Sequence, residues 1–142
     1  MRFLGIDYGS KRVGIALSDE NGQLAFPFKV LSNNDELLDA VHNICGEQEV
    51  GEIVLGESLD FSGKENDIME GIKEFKIKLL ELGLPIHMEK EFMTTVEARG
   101  RGGKEINDAR KVKQEKNSKV DASAAALILQ RYLDRRSRQM EG

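Results

Sequence analysis

The feature that most restricts the fold is a pair of short apolar runs within the first nineteen residues. Phe3-Leu4-Gly5-Ile6 ends in Asp7. Tyr8-Gly9-Ser10-Lys11-Arg12 then leads into Val13-Gly14-Ile15-Ala16-Leu17, which ends in Ser18-Asp19. Runs this short, set around a Gly-Ser-Lys turn, read as a β-hairpin. The hairpin delivers one carboxylate, Asp7, to the point where the first strand leaves the core. A charge there is costly unless it is paired or binds a cation. From these residues alone, Asp7 either holds a cation or simply ends the strand and bonds to the turn.

A chain of 142 residues reads as one domain over 1–142, long enough to bury roughly two-thirds of its unfolded surface without a disulfide or a structural metal. Cys45 is the only cysteine, which excludes an intrachain disulfide and fits a reducing compartment. His42 and His87 do not stand in zinc-like spacing with it. No apolar run approaches ~20 residues and no basic-then-apolar leader opens the chain, so neither a membrane span nor a signal peptide is expected. The expected location is the cytoplasm. The formal net charge of -4 hides a division: residues 1–98 carry 9 Lys/Arg against 19 Asp/Glu, and residues 99–142 carry 12 against 6. The basic C-terminal third suits either a phosphate-contacting face or a solvated helix surface.

Beyond the hairpin, Asp19-Glu20-Asn21-Gly22 signals a turn, and Gln23 to Leu31 reads as a third strand that Pro27 confines to a sheet edge. Leu37, Leu38, Val41 and Ile44 then recur at helical spacing, with caps available from Asn33 or Asn34. Glu52 to Gly56 reads as a buried strand. Ile68, Ile72, Phe75, Leu79 and Leu82 form a helical stripe over Lys64 to Leu82, stopped by Gly83. Pro85 to Phe92 is a fifth strand. Thr94-Thr95-Val96-Glu97 reads as a capping box, Arg99 to Ser118 as a mobile basic loop, and Lys119 to Arg136 as a last helix. A meander followed by helix-strand alternation, with right-handed crossovers, predicts an α/β fold. Its mixed five-stranded sheet has order 3-2-1-4-5, strand two antiparallel to the others, and helices on both faces.

Three carboxylates fall at element ends. Asp7 closes strand one, Glu91 closes strand five, and Asp121 lies in the first turn of the last helix, on one helical face with Ala125, Ile128 and Tyr132. Oxygen-only ligands suit Mg²⁺ or Mn²⁺. Simpler readings stand beside these. Asp121 closes a capping box begun by Ser118 and favoured by the helix dipole, Glu91 is one charge among several with Glu89 and Lys90, and Glu57 competes for the middle place. Ser62-Gly63-Lys64-Glu65 is not a phosphate loop, because its spacing from Gly56 is wrong and no Ser or Thr follows the lysine. Asp7-Tyr8-Gly9 also resembles the phosphate turn of sugar-kinase and actin-type ATPases, but this length leaves no room for their second lobe.

Asp7-Tyr8-Gly9-Ser10-Lys11-Arg12-Val13-Gly14-Ile15-Ala16-Leu17-Ser18-Asp19 closely resembles the opening motif of the YqgF family, bacterial RNase H-like proteins described as Holliday junction resolvases and as pre-16S rRNA nucleases. Leu55-Gly56 through Gly63, Glu91 with Thr94-Thr95-Val96-Glu97-Ala98-Arg99, and Lys119-Val120-Asp121-Ala122-Ser123-Ala124-Ala125 through Leu133 continue the resemblance in order. It implies a metal-dependent endonuclease of 16S rRNA 5′-end maturation, with Asp7, Glu91 and Asp121 as catalytic and metal-binding acids. Two Mg²⁺ or Mn²⁺ ions ~4 Å apart would drive in-line attack by an activated water. Lys11, Arg12, Arg99, Arg101, Lys104, Arg110, Lys111 and Lys113 would hold the phosphate backbone. The implied partners are precursor 16S rRNA, ribosomal particles or branched DNA, met by a monomer or weak homodimer. Junction resolution on DNA is one alternative, and a non-catalytic nucleic-acid or ribosome-binding module is another. Two departures bear on the middle acid. The family's Asp-Glu-Arg is Lys90-Glu91-Phe92 here, and its Gly-x-Pro is Gly56-Glu57-Ser58.

Overall fold

The N-terminal hairpin forms as β1 (Arg2–Tyr8) and β2 (Arg12–Ser18), paired antiparallel from Leu4–Leu17 to Tyr8–Val13. The computed structural model describes residues 1–59, 67–92 and 117–141. Within them follow β3 (Ala25–Ser32), α1 (Leu37–Glu47), β4 (Val50–Leu59), α2 (Asp67–Leu80), β5 (Ile86–Phe92) and α3 (Asn117–Glu141). One sheet of order β3-β2-β1-β4-β5 results, with β2 antiparallel to both neighbours and β1, β4 and β5 parallel. This is the mixed RNase H-like sheet expected from the meander and its helical crossovers. Pro27 does lie on the edge strand, where its missing N–H costs no ladder bond, and the register shifts between Ile15 and Ala16 opposite it.

The sheet's two faces are built from alternate residues. Leu4, Ile6, Ile15, Leu17, Ile53 and Leu55 point to α1 and α2, which contribute Val41, Ile44, Ile72, Phe75 and Leu79. Phe3, Ala16 and Val54 point the other way, to Ala125, Ile128, Leu129 and Leu133 of α3. Helices therefore cover both faces. Among the described residues, no helix is long and apolar enough to cross a membrane.

Ser18 ties the hairpin to the turn that follows it. Its fully buried side-chain oxygen accepts the N–H of Phe3 at 2.8 Å and donates to the Asp19 carbonyl at 2.8 Å. Asp19 then closes the turn: its Oδ1 accepts the N–H groups of Gln23 (2.8 Å) and Leu24 (3.1 Å). These two bonds, Gln23's foremost, hold the Asp19 carboxyl below its ordinary range. Ser18→Ala should cost about 1–3 kcal/mol by stranding the Phe3 N–H. Urea unfolding reads this directly, and a midpoint equal to the wild type would mean that water replaces the hydroxyl.

Some boundaries differ from the sequence reading. Glu36, not Asn33 or Asn34, is the cap residue of α1, and its side chain makes no cap bond. Asn34 Oδ1 instead accepts the Glu36 N–H at 2.9 Å, an Asx turn one step earlier. Helix α3 begins at Asn117, two residues before the expected start, and runs on to Glu141. Residues 117 and 118, read above as the end of a loop, are thus helical. The capping box at Thr94–Glu97, and residues 99–116 of the basic segment, lie outside the described residues, as do 64–66 of the second helix. Gly83, with φ +83°, ends that helix as its position predicts.

Candidate active site

Alternation along β1 assigns Asp7 its face. Phe3 and Gly5 lie under α3, so Asp7 follows on the same face at the strand's C-terminal end. The contacts between β1 and α3 also fix their relative direction. The Phe3 and Tyr132 rings are 6.0 Å apart, whereas Gly5 lies against Ala125 and Leu129. Moving outward along β1 therefore means moving toward the N-terminus of α3. One further step out from Gly5 is Asp7, and one helical turn before Ala125 is residue 121. The fold thus brings the backbone at Asp7 and at Asp121 to one rim.

Two glycines allow that approach. A Cβ on Gly5 would stand 2.8 Å from Leu129 Cβ and 3.0 Å from the Ala125 carbonyl oxygen. One on Gly56 would stand 2.7 Å from Ile128 Cδ1. The alanines of α3 cooperate, with Ala122 and Ala125 buried, but the strand glycines are the closer constraint.

The middle acid can be assigned a face in the same way. In β5, Ile86 and Met88 pack with the α1/α2 core, while His87 stacks on Tyr132 of α3 at 4.9 Å. Glu89 is buried and paired with Arg135 of α3. Residues 87 and 89 therefore share the α3 face, and alternation carries residue 91 to that same face as Asp7. Glu91 pairs in register with Ser58 at the strand ends. Glu57 follows Leu55 of the opposite core by two residues, so alternation assigns it to the α1/α2 face. The sheet itself stands between Glu57 and Asp7.

Lys11 and Arg12 sit at the same rim, exposed on the β1–β2 turn and at the head of β2. The turn is braced from below by Asn33, whose Nδ2 donates to the Gly9 carbonyl at 2.8 Å and whose backbone N–H donates to the Lys11 carbonyl at 2.9 Å. Sequence reading assigned Asn33 to a helix cap and missed this bracing. It considers His87 only as a zinc ligand and Glu89 only as one charge among several, and does not single out Arg135, although the alternation His87-Met88-Glu89 carries the signal. Arg99, Arg101, Lys104, Arg110, Lys111 and Lys113 lie outside the described residues, as do the side chains of Glu91 and Asp121. Among the described residues no three His, Cys, Asp or Glu form a metal cluster.

A family model described as RuvX, Holliday junction resolvase, matches residues 1–135. A protein of Ruminiclostridium cellulolyticum provisionally named a pre-16S rRNA nuclease is 37% identical over 139 residues, covering 95% of each chain. One of the same provisional name from Oenococcus oeni is 36% identical over 147 residues, covering 100% of each. In fold, Thermus thermophilus RuvC in complex with Holliday junction substrate superposes with TM-score 0.56 at 15% identity, over 96% of each chain. Full-length coverage at these identities, with the hairpin and the long C-terminal helix in the expected order, means that the chain belongs to the RuvX family.

Proposed function

We propose that this protein is a metal-dependent endonuclease, a single-domain cytoplasmic hydrolase of phosphodiester bonds acting in 5′-end maturation of the 16S rRNA precursor. The observation that carries the reading is the rim where the C-terminal end of β1, bearing Asp7, meets the first turns of α3 over the α3 face of the sheet. Family membership and the names of the relatives support the same chemistry. An all-carboxylate donor set from Asp7, Glu91 and Asp121 fits a hard divalent cation such as Mg²⁺ or Mn²⁺. Bound there, a pair of such ions would activate the attacking water and stabilise the leaving oxygen. Asp7, Glu91 and Asp121 would together hold them. The shared face of residues 7 and 91 favours Glu91 over Glu57 as the middle acid. Lys11 and Arg12, on the braced turn, would grip the phosphate beside the cut, and the basic residues between Arg99 and Lys113 the backbone further along.

Precursor RNA, free or in ribosomal particles, is the substrate this reading favours, met by a monomer or weak homodimer. The family description favours branched DNA as a second reading, and resolution of a symmetric junction would need two active sites. Incubating the protein with precursor 16S rRNA and with a four-way DNA junction, in Mn²⁺ or EDTA, separates them. RNA cleavage abolished by EDTA is expected. Binding without cleavage of either substrate in any metal would instead make the protein a non-catalytic binding module. Changing Arg110, Lys111 and Lys113 together to Ala should weaken nucleic-acid binding and lower its log-log salt slope by about three, roughly one per phosphate contact. An unchanged slope would move the phosphate grip elsewhere.

A further inference from the structure

A chain of five polar and aromatic side chains joins β4, β5 and α3 on the sheet face that carries Asp7. Glu52 Oε1 of β4 lies 2.7 Å from His87 Nε2 of β5. The His87 ring stacks on Tyr132 of α3, with centroids 4.9 Å apart and planes 26° from parallel. The Arg135 guanidinium carbon stands 5.8 Å from the centroid of the same tyrosine, and Nη2 of Arg135 lies 2.5 Å from Glu89 Oε1. The Glu89 side chain is only 7% exposed, and among the described residues that oxygen has no aligned hydrogen bond. Its charge therefore depends on the guanidinium for compensation. Helical side chains lean toward the helix N-terminus, so Arg135 is directed back along α3 toward the rim.

Glu89 is not itself placed to share a cation with Asp7. It pairs in register with Gly56, and the space above Gly56 is filled by Ile128. Its relation to the site is through the backbone. Glu89 stands one alternation before Glu91 on β5, and Arg135 lies on α3, the helix that carries Asp121 near its N-terminus. An ion pair between them fixes one proposed metal-bearing element against the other.

We propose that Glu89 and Arg135, with the His87–Tyr132 stack, are positioning residues that set the separation of β5 and α3 and so tune the affinity of the site for its divalent cation. The inference rests on the metal-site reading above. Groups bonded to a metal's ligands typically change its affinity by about 10–100-fold when removed, and a clamp acting through the backbone between two ligand-bearing elements should reach the lower end of that range.

The test is calorimetric titration of the intact chain with MnCl2, without nucleic acid, alongside thermal melts. Glu89→Gln and Arg135→Met should each weaken Mn²⁺ binding by about 10-fold at temperatures where the protein is still folded. Arg135→Lys should fall between, because an ammonium restores the charge but neither the fork nor the ring contact. The double variant Glu89→Gln/Arg135→Met removes both partners, so it should recover much of the melting temperature lost by the singles while leaving Mn²⁺ affinity low. Structural damage alone would make affinity recover with stability. Ser18→Ala, destabilised far from the rim, should bind Mn²⁺ as the wild type does. Wild-type affinity in the folded double variant, or in Arg135→Lys if that alone folds, overturns the clamp. If the wild type binds no Mn²⁺, or Asp7→Asn binds it equally well, the metal-site reading fails and takes the clamp with it. Loss in Asp7→Asn with no loss in the clamp variants rejects the clamp alone.

Discussion

Asp7→Asn is expected to lower cleavage at limiting metal by more than about 100-fold, beyond the range seen for outer-shell changes, and to leave the fold in place. The substitution keeps the size and shape of the side chain and removes the negative charge that a hard cation requires. Asp7 stands at the rim, one alternation beyond Gly5, and the hydrophobic packing of Phe3, Leu4 and Ile6 ends before it. The side chains that anchor β1 in the core are thus left intact. Asp121→Asn should act almost as strongly, and Glu91→Gln likewise, since Glu57 is assigned to the opposite face. The measurement is the rate of precursor cleavage as a function of Mn²⁺, with melting followed in parallel. Wild-type rates in Asp7→Asn at limiting metal would reject the metal mechanism. A strong loss in Glu57→Gln with none in Glu91→Gln would reverse the choice of middle acid.

Gly5→Ala should be the most damaging small change in the sheet. The new methyl would meet Leu129 Cβ at 2.8 Å and the Ala125 carbonyl oxygen at 3.0 Å. Both atoms belong to the stem of α3, so neither can swing aside. Overpacking of this kind costs about 1–3 kcal/mol, which at this chain length lowers the melting temperature by roughly 4 °C per kcal/mol. The relief available is for α3 to lift from β1, and the lift would separate Asp7 from the first turns of that helix. Metal affinity should therefore fall along with stability. Gly46 supplies the contrast. It lies within α1, and a Cβ there would meet nothing within 4 Å. Gly46→Ala should be neutral or stabilising by up to about 1 kcal/mol through helix propensity alone. Equal melting temperatures for the two variants would mean that α3 is not pinned at Gly5.

Both predictions depend on how two elements meet, and that is where reading the sequence stops. Local physics settles the elements themselves. Two apolar runs around a polar turn can only be short strands, Pro27 can only sit on an edge without losing a ladder bond, and the stripe from Ile72 to Leu79 buries one side of a helix. Strand order followed from crossover handedness, and the resemblance of the first and last motifs named the family. Asp7 stands out as a candidate in sequence because an acid at the end of a buried strand conflicts with its neighbours.

Other features are set by contacts between residues distant in the chain, which periodicity does not encode. Asn33 looks like a helix cap in sequence, yet its amide braces Gly9 twenty-four residues away. Gly5 and Gly56 read as weak strand residues until α3 is seen to need the space of their missing side chains. Glu89 and Arg135, forty-six positions apart, look like ordinary surface charges, and only the packing of α3 on β5 buries the first and pairs it with the second. The proposed preference for Glu91 over Glu57 as the middle acid has the same origin. In sequence they are two acids at two strand ends. The sheet separates them because alternation gives each strand residue one face or the other, and residue 91 shares with Asp7 the face against which α3 packs.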